Sequence, residues 1–231
     1  MRSLLLAPLL LLTAAAPADE RSFMVGSFER LRVDGPFEVE VVTGSPRATA
    51  SGARGTLDQV AVQVNGDTMV VSAGPLSWAS AKSAAAPLPK VRVSVLALRG
   101  VMLSGGARVR VAQMRGGRID LVLTGSGSLD VAAIKADDLN ASLTGTGAMT
   151  LAGTTARVML RNSGAGSIDA AGLTAGDARL TSDSSGPVRV NVRYTAQAMA
   201  MGSGEIAISG KPECTLRGSG PMTCSGTIRK N

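Results

Sequence analysis

Two stretches of this chain carry the residue types of an anion cradle. Gly125-Ser126-Gly127 lies within LTGSGSLDV (residues 123–131), and Gly145-Thr146-Gly147 within LTGTGAMTL (residues 143–151). Bare glycine backbone lets N–H groups approach a phosphate, and a hydroxyl between them can assist. A phosphate loop of this type leads from a strand into a helix whose N-terminus faces the anion. Here each motif leads instead into Leu129-Asp130-Val131 or Met149-Thr150-Leu151, where apolar and polar residues alternate as in a strand. The pattern recurs along the chain, so Gly125, Gly127, Gly145, Gly147, Gly164, Gly166, Gly186, Gly202, Gly204, Gly218 and Gly220 are expected to turn corners between strands.

Other candidates for chemistry are few. The chain has no histidine, which removes the commonest general base, triad member and transition-metal ligand. Cys214 and Cys224 are its only cysteines, and in an oxidising compartment they are expected to form a structural disulfide. Calcium-binding glycine- and aspartate-rich repeats need Asp at a fixed column of a nonapeptide period. The corresponding column here reads Arg110, Asp130, Thr150, Asp169, Arg189, so no metal and no cofactor are implied. No paired carboxylates share a column, and Asp137-Asp138 reads as a solvated turn. The residues between the paired glycines include Ser126, Thr146, Ser185, Ser203 and Ser219, a hydroxyl ladder that could order water or sugar. Small residues suit any tight corner, and only one of these is threonine, so the corner reading takes precedence.

The elements that position these residues follow from a repeat. The second glycine of each motif falls at Gly127, Gly147, Gly166, Gly186, Gly204 and Gly220, with Ala107 in its place at the start, giving spacings of 20, 20, 19, 20, 18 and 16 residues. Two positions later stand Val109, Leu129, Met149, Ile168, Val188, Ile206 and Met222; two further on stand Val111, Val131, Leu151, Ala170, Val190, Ile208 and Cys224. Six positions before the marker stand Val101, Leu121, Ala141, Leu160, Leu180, Ala198 and Cys214, and four before it Leu103, Leu123, Leu143, Asn162, Ser182, Ala200 and Leu216. The side-chain period is two, so each unit carries short strands with one face inward. Such strands bury their apolar faces by stacking at about 4.8 Å into parallel ladders. The expected fold is all-β: a right-handed parallel β-solenoid with about seven regular coils following less regular N-terminal strands. The disulfide would staple its last coil, and Arg110 and Asp130 would stand side by side in water.

Residues 1–18 read as a signal peptide: Arg2, an apolar run from Leu4 to Leu12, then Ala16-Pro17-Ala18 as a cleavage site. That run is too short for a permanent transmembrane helix, and no later segment is apolar enough for one. Residues 19–231 read as a single solenoid domain, with the Ser/Ala-rich, proline-broken stretch 72–90 as an exposed loop. Trp78, within it, either packs back onto the solenoid or acts as a contact residue. Without Arg2 there remain 23 basic and 17 acidic residues, a net charge of +6 that favours anionic surfaces. These charges are scattered and aromatics are scarce, which argues against nucleic-acid binding.

FERLRVDGPFEVEVVTGSPRATASG (residues 28–52), VQVNGDTMVVS (residues 62–72) and the repeated GSG units together resemble the head GIN domain, a family of exported bacterial proteins named for an auto-transporter adhesin role. The resemblance covers residues 28–226 and implies a β-solenoid, an extracytoplasmic address and an envelope or surface role, with no catalytic residues to transfer. The expected protein is exported, periplasmic or at the cell surface. It is a non-catalytic adhesin-like or scaffold module whose partner is an envelope component or polysaccharide. The alternative is a polysaccharide-acting enzyme on a parallel β-helix, using Asp, Arg and Lys residues of one face.

Overall fold

The computed structural model describes residues 19–74 and 88–229. The expected signal peptide, Trp78 and most of the 72–90 stretch lie outside the described residues. The N-terminal part forms β1 (Asp19–Phe23), β2 (Arg30–Asp34), β3 (Glu38–Thr43), β4 (Arg47–Gly52), a single helical turn α1 (Arg54–Leu57), the hairpin strands β5 (Val60–Asn65) and β6 (Thr68–Ala73), and β7 (Lys90–Val95). The repeats form β8 (Gly100–Gly105), β9 (Arg108–Val111), β10 (Met114–Gly125), β11 (Ser128–Gly145), β12 (Ala148–Gly164), β13 (Ser167–Ser184), β14 (Val188–Ala200), β15 (Ile206–Gly210), β16 (Glu213–Gly218), β17 (Met222–Cys224) and β18 (Thr227–Ile228). Ser72, Ala73 and Lys90 are therefore strand residues, which shortens the loop expected between them.

These strands stack into a parallel β-solenoid of about six turns. One ladder runs β6, β2, β8, then the C-terminal parts of β10 to β14, then β16 and β18. The other runs β7, β3, β9, then the N-terminal parts of β11 to β14, then β15 and β17. A short third face stacks Met114–Gly116 on Ile134–Ala136 and that on Gly153–Thr155. Sequence order and stacking order differ at one place: the coil made by β2 and β3 lies between those of β6/β7 and β8/β9. Beyond β6 and β7 the stack ends in antiparallel pairings with β5, β4 and β1. The edge strand β1 exposes Asp19, Glu20 and Arg21, charges that discourage pairing with another chain.

The core is the set of inward columns. Leu129 stacks between Val109 and Met149, and Met149 stacks on Ile168, all within 1% exposure. Each fully buried side chain of this size contributes about 1.5–3 kcal/mol relative to exposure, so the ladder of columns holds the coils together. The register departs from the sequence columns only in the last coil, whose corner is shorter. Leu216, not Cys214, stacks on Ala198, and Cys214 stacks on Ala196. The narrowing of the period from 20 to 18 has a different cause. Val190 and Asn191 face Ala170 and Thr174, so β14 omits three residues that β13 spends on the third face, and it regains one where Val192 and Thr195 face Ala175 and Asp177.

Asn162 and Ser182 are buried at 2% and 1% exposure in a column that is leucine in the three coils before Asn162. Asn162 donates its amide to the Gly166 carbonyl oxygen at 2.8 Å, while its own oxygen and the Ser182 hydroxyl have no partner among the described residues. The core here is polar and less strongly held than the leucine layers before it.

Placing an unpaired charge in a 1% exposed column costs several kcal/mol. Met149→Asp or Ile168→Asp is therefore expected to abolish the cooperative thermal transition seen by circular dichroism. A melting curve unchanged from the parent would contradict the assigned column.

Candidate functional site

The corners do not hold anions, because their donors are already used. Thr146 N–H donates to the Gly125 carbonyl at 3.0 Å, Gly147 N–H to the same oxygen at 2.9 Å, and Ala148 N–H to Gly127 at 3.1 Å. The next corner repeats the arrangement: Ala165 and Gly166 N–H both donate to the Gly145 carbonyl at 2.8 Å. The two glycines of each motif are needed for different reasons. The first adopts a left-handed backbone, φ +111° at Gly125 and +120° at Gly145. The second has no room for a side chain: a Cβ on Gly147 would lie 2.5 Å from the Gly127 oxygen and 2.8 Å from Leu123 Cδ2. Gly166, Gly186 and Gly204 likewise face the carbonyl of the corner before them. Ser184 takes the first-glycine place in its coil and accepts the Gly186 N–H at 3.0 Å through its hydroxyl.

What the solenoid presents to a ligand is its outer surface. Because alternate residues point inward, two neighbouring outward columns on a face leave a furrow between them that runs along the solenoid axis. The larger furrow has a volume of ≈ 680 Å³ and is lined from β4, β7, β3, β9, β11 and β12. Its walls carry Lys90 and Arg92 on β7, Glu38 and Glu40 on β3, Arg108 and Arg110 on β9, and Ser128 and Asp130 on β11. A smaller one of ≈ 360 Å³ lies on the other ladder, walled by Asp138, Arg157, Asp177, Arg179, Thr195 and Gln197.

The two furrows differ in how far their charges are satisfied. In the smaller, Arg157 grips Asp138 through two hydrogen bonds of 2.6 and 2.9 Å, Thr195 donates to Asp177 at 2.6 Å, and Arg179 donates to Gln197 at 3.1 Å. The hydrogen bond from Arg157 holds the Asp138 carboxyl below the usual carboxylate range. That pair is therefore formed above the ordinary carboxylate range and is lost only as the pH falls through the lowered value. In the larger furrow the pairs are loose, Arg92–Glu40 at 3.9 Å and Arg110–Glu38 at 3.8 Å. Lys90 and Arg108 have no acidic partner among the described residues. Free cations are what an incoming anion needs, so the larger furrow is the candidate site.

Several sequence-predicted features take definite places. Cys214 and Cys224 are bonded, tying β16 on one ladder to β17 on the other. Asp130 lies beside Arg110 in register and is exposed, but Arg110 turns to Glu38 rather than to it. Asp137 and Asp138 lie within β11, and the arginine of the next coil holds Asp138, which corrects the solvated-turn reading. Glu38, Glu40, Lys90 and Arg92 were not singled out by the sequence, because the coils bearing them lie outside the glycine-marked repeat. Their signal was the alternation in FEVEVV and KVRVSV. Among the described residues no group of three potential metal ligands occurs, and no helix is long and apolar enough to cross a membrane.

A parallel β-solenoid with glycine corners, an intercalated N-terminal coil and charged axial furrows defines the class. The chain matches the family described as "Putative auto-transporter adhesin, head GIN domain" over residues 27–212, and it belongs to that family. It resembles in fold a crystal structure described as a putative adhesin from Bacteroides fragilis, with a TM-score of 0.82 and 21% identity over 93% of this chain and 97% of the other. A putative lipid binding protein from Parabacteroides distasonis has a TM-score of 0.67 and 20% identity, over 93% and 96% of the two chains. A putative adhesin from Parabacteroides merdae has a TM-score of 0.65 and 17% identity, over 92% and 96%. No protein with a curated function matches the chain.

Gly147→Ala is expected to cost about 1–3 kcal/mol through overpacking. Gly106→Ala should be near neutral, because the nearest atom to its Cβ, Ser126 Oγ, is 3.9 Å away. Urea denaturation of the two variants checks the contrast, and equal midpoints would remove the inter-coil explanation. Replacing both cysteines by serine should lower stability by about 2–3 kcal/mol. Hydrogen exchange is expected to localise the loss to β16, β17 and β18.

Proposed function

We propose that this protein is an exported, non-catalytic binding module of the cell envelope or surface, holding an envelope component or polysaccharide along the furrow centred on β3. The observation that carries this reading is the contrast between the furrows: in one, Arg157 holds Asp138 while Gln197 and Thr195 engage Arg179 and Asp177, whereas in the other the Lys90 and Arg108 side chains have neither an acidic nor a hydrogen-bonding partner among the described residues. Membership of an adhesin-head family supports an exported or surface address. A polymer lying in the furrow meets strand after strand, which suits a repeat-built surface.

The enzyme reading has one feature to examine, since Glu38 and Glu40 stand on opposite walls of the furrow. A glycoside hydrolase needs one carboxyl held protonated by burial or by a neighbouring negative charge. Here the Glu40 side chain is 58% exposed and both carboxylates lie near arginines, so neither sits in the apolar, buried surroundings such an acid is built in. The furrow therefore fits retention of a chain rather than its cleavage.

Glycan arrays and envelope-fraction pull-downs with the purified protein provide the test. Retention of at least one glycan or envelope fraction, with no change in polysaccharide chain length on incubation, is the expected result. No retention by any of them would remove the binding role; depolymerisation abolished by Glu38→Gln would establish the enzyme.

A further inference from the structure

The order of charges along the larger furrow points to a more specific ligand. Each strand contributes two outward residues, and on three successive strands the two carry the same sign. Lys90 and Arg92 on β7 are followed by Glu38 and Glu40 on β3, then by Arg108 and Arg110 on β9. Register places Lys90 beside Glu38 and Glu38 beside Arg108, with Arg92, Glu40 and Arg110 aligned in the same way. All six side chains reach the surface: the Arg92 and Arg110 side chains are 65% and 77% exposed, and Glu38, the least exposed, is half-buried. A chain lying in the furrow therefore crosses a cationic rung, an anionic rung and a second cationic rung at intervals of about 4.8 Å.

We infer that the furrow binds an acidic polysaccharide that carries its negative charge on every second sugar. This rests on the binding reading above and specifies its ligand. The strand spacing is about the length of one sugar ring, so the two cationic rungs, roughly 9.6 Å apart, match one disaccharide step. A carboxylate or sulfate over Lys90 and another over Arg108 gain charge-assisted hydrogen bonds from cations with no acidic partner among the described residues. The sugar between them lies over Glu38 and Glu40 and must be neutral there, accepting no further anion. A polymer charged on every unit sets a like charge against that rung and is disfavoured. Neutral glycans lack the aromatic platforms they would stack on, because no aromatic lines the furrow among the described residues. A bilayer is a poorer fit, since the exposed large apolar residues Met24, Leu96, Met102, Tyr194, Met199, Met201 and Ile228 all lie off the furrow.

The test uses the purified protein and four probes in low-salt buffer: hyaluronan, with one carboxylate per disaccharide; polygalacturonate, with one on every sugar; dextran, with none; and vesicles containing an anionic phospholipid. Hyaluronan should bind at least about tenfold more tightly than polygalacturonate or dextran. Lys90→Gln with Arg108→Gln should weaken it by at least about tenfold, while Arg161→Gln with Arg179→Gln, removing the same charge from the other ladder, should not. Glu38→Gln with Glu40→Gln should raise affinity for polygalacturonate and so narrow its gap to hyaluronan. Circular dichroism confirms that each variant keeps its fold. Polygalacturonate binding as tightly as hyaluronan to the parent protein would overturn the inference, as would equal loss in both arginine-containing pairs. Binding only to the anionic vesicles would replace it with a lipid-headgroup site. If no polysaccharide binds while envelope fractions are still retained, the ligand inference falls and the binding reading stands; if envelope fractions fail as well, both fall.

Discussion

The structure depends on one close approach: the backbone of each corner against the backbone of the corner before it. The N–H groups of Thr146, Gly147 and Ala148 donate to carbonyls of the previous corner at 2.9–3.1 Å, and that contact leaves no space for a side chain at Gly147. Glycine at the second motif position is thus a consequence of stacking rather than of backbone conformation. The same contact sets the registry of everything downstream. With the corners fixed, the inward columns fall on one another, and the outward residues must form straight axial rows. A loop that looks built to cradle an anion has its donors spent on holding the coils together.

Much of this was legible in the sequence, and the part that was not has a physical reason. The marker glycines and the columns around Leu129 and Val131 gave the ladder directly, because a buried column tolerates only apolar side chains and the repeat displays it several times over. The last coil departs from the glycine-marked columns by two residues at Cys214, because its final corner is shorter and no glycine signals the change. Asp138 looked like a turn because strand and turn share acidic residues, and only the neighbouring coil supplies Arg157 to hold it. The intercalation of β2 and β3 between later coils leaves no local trace at all. Alternation specifies that a segment is a strand with one buried face, and it does not specify which neighbours it takes.

That intercalation also explains why the candidate site escaped the repeat. Coils that follow one another in sequence share their glycine corners, but the rungs of the furrow come from distant parts of the chain, β7, β3 and β9. The corner of the inserted coil is Gly35-Pro36-Phe37, with Gly35 at φ +118° and Phe37 in the core, so it keeps the turn and loses the GSG signature. Bringing β3 between two basic strands is what creates the alternation of sign. In simple sequence order β7 would lie directly beside β9, setting Arg92 against Arg110 and Lys90 against Arg108, an arrangement of like charges that destabilises a sheet.

The acidic rung therefore has a structural role in the free protein and a selective one in the complex, and the two need not conflict. Glu38 and Glu40 relieve repulsion between the basic strands, yet their arginine partners stay at 3.8 and 3.9 Å, too far for tight hydrogen-bonded pairs. The smaller furrow shows what tight pairing looks like on the same scaffold, with Asp138 and Arg157 joined at 2.6 Å. Cations in such a grip offer little to a ligand, because a new contact must first displace the old one. Loose pairs in high-dielectric surroundings are held by little more than screened attraction, so the cations remain available while the carboxylates keep their sign. The difference between a surface that is merely soluble and one able to discriminate then comes down to about an ångström in ion-pair length, on outward columns whose spacing the glycine corners have already fixed.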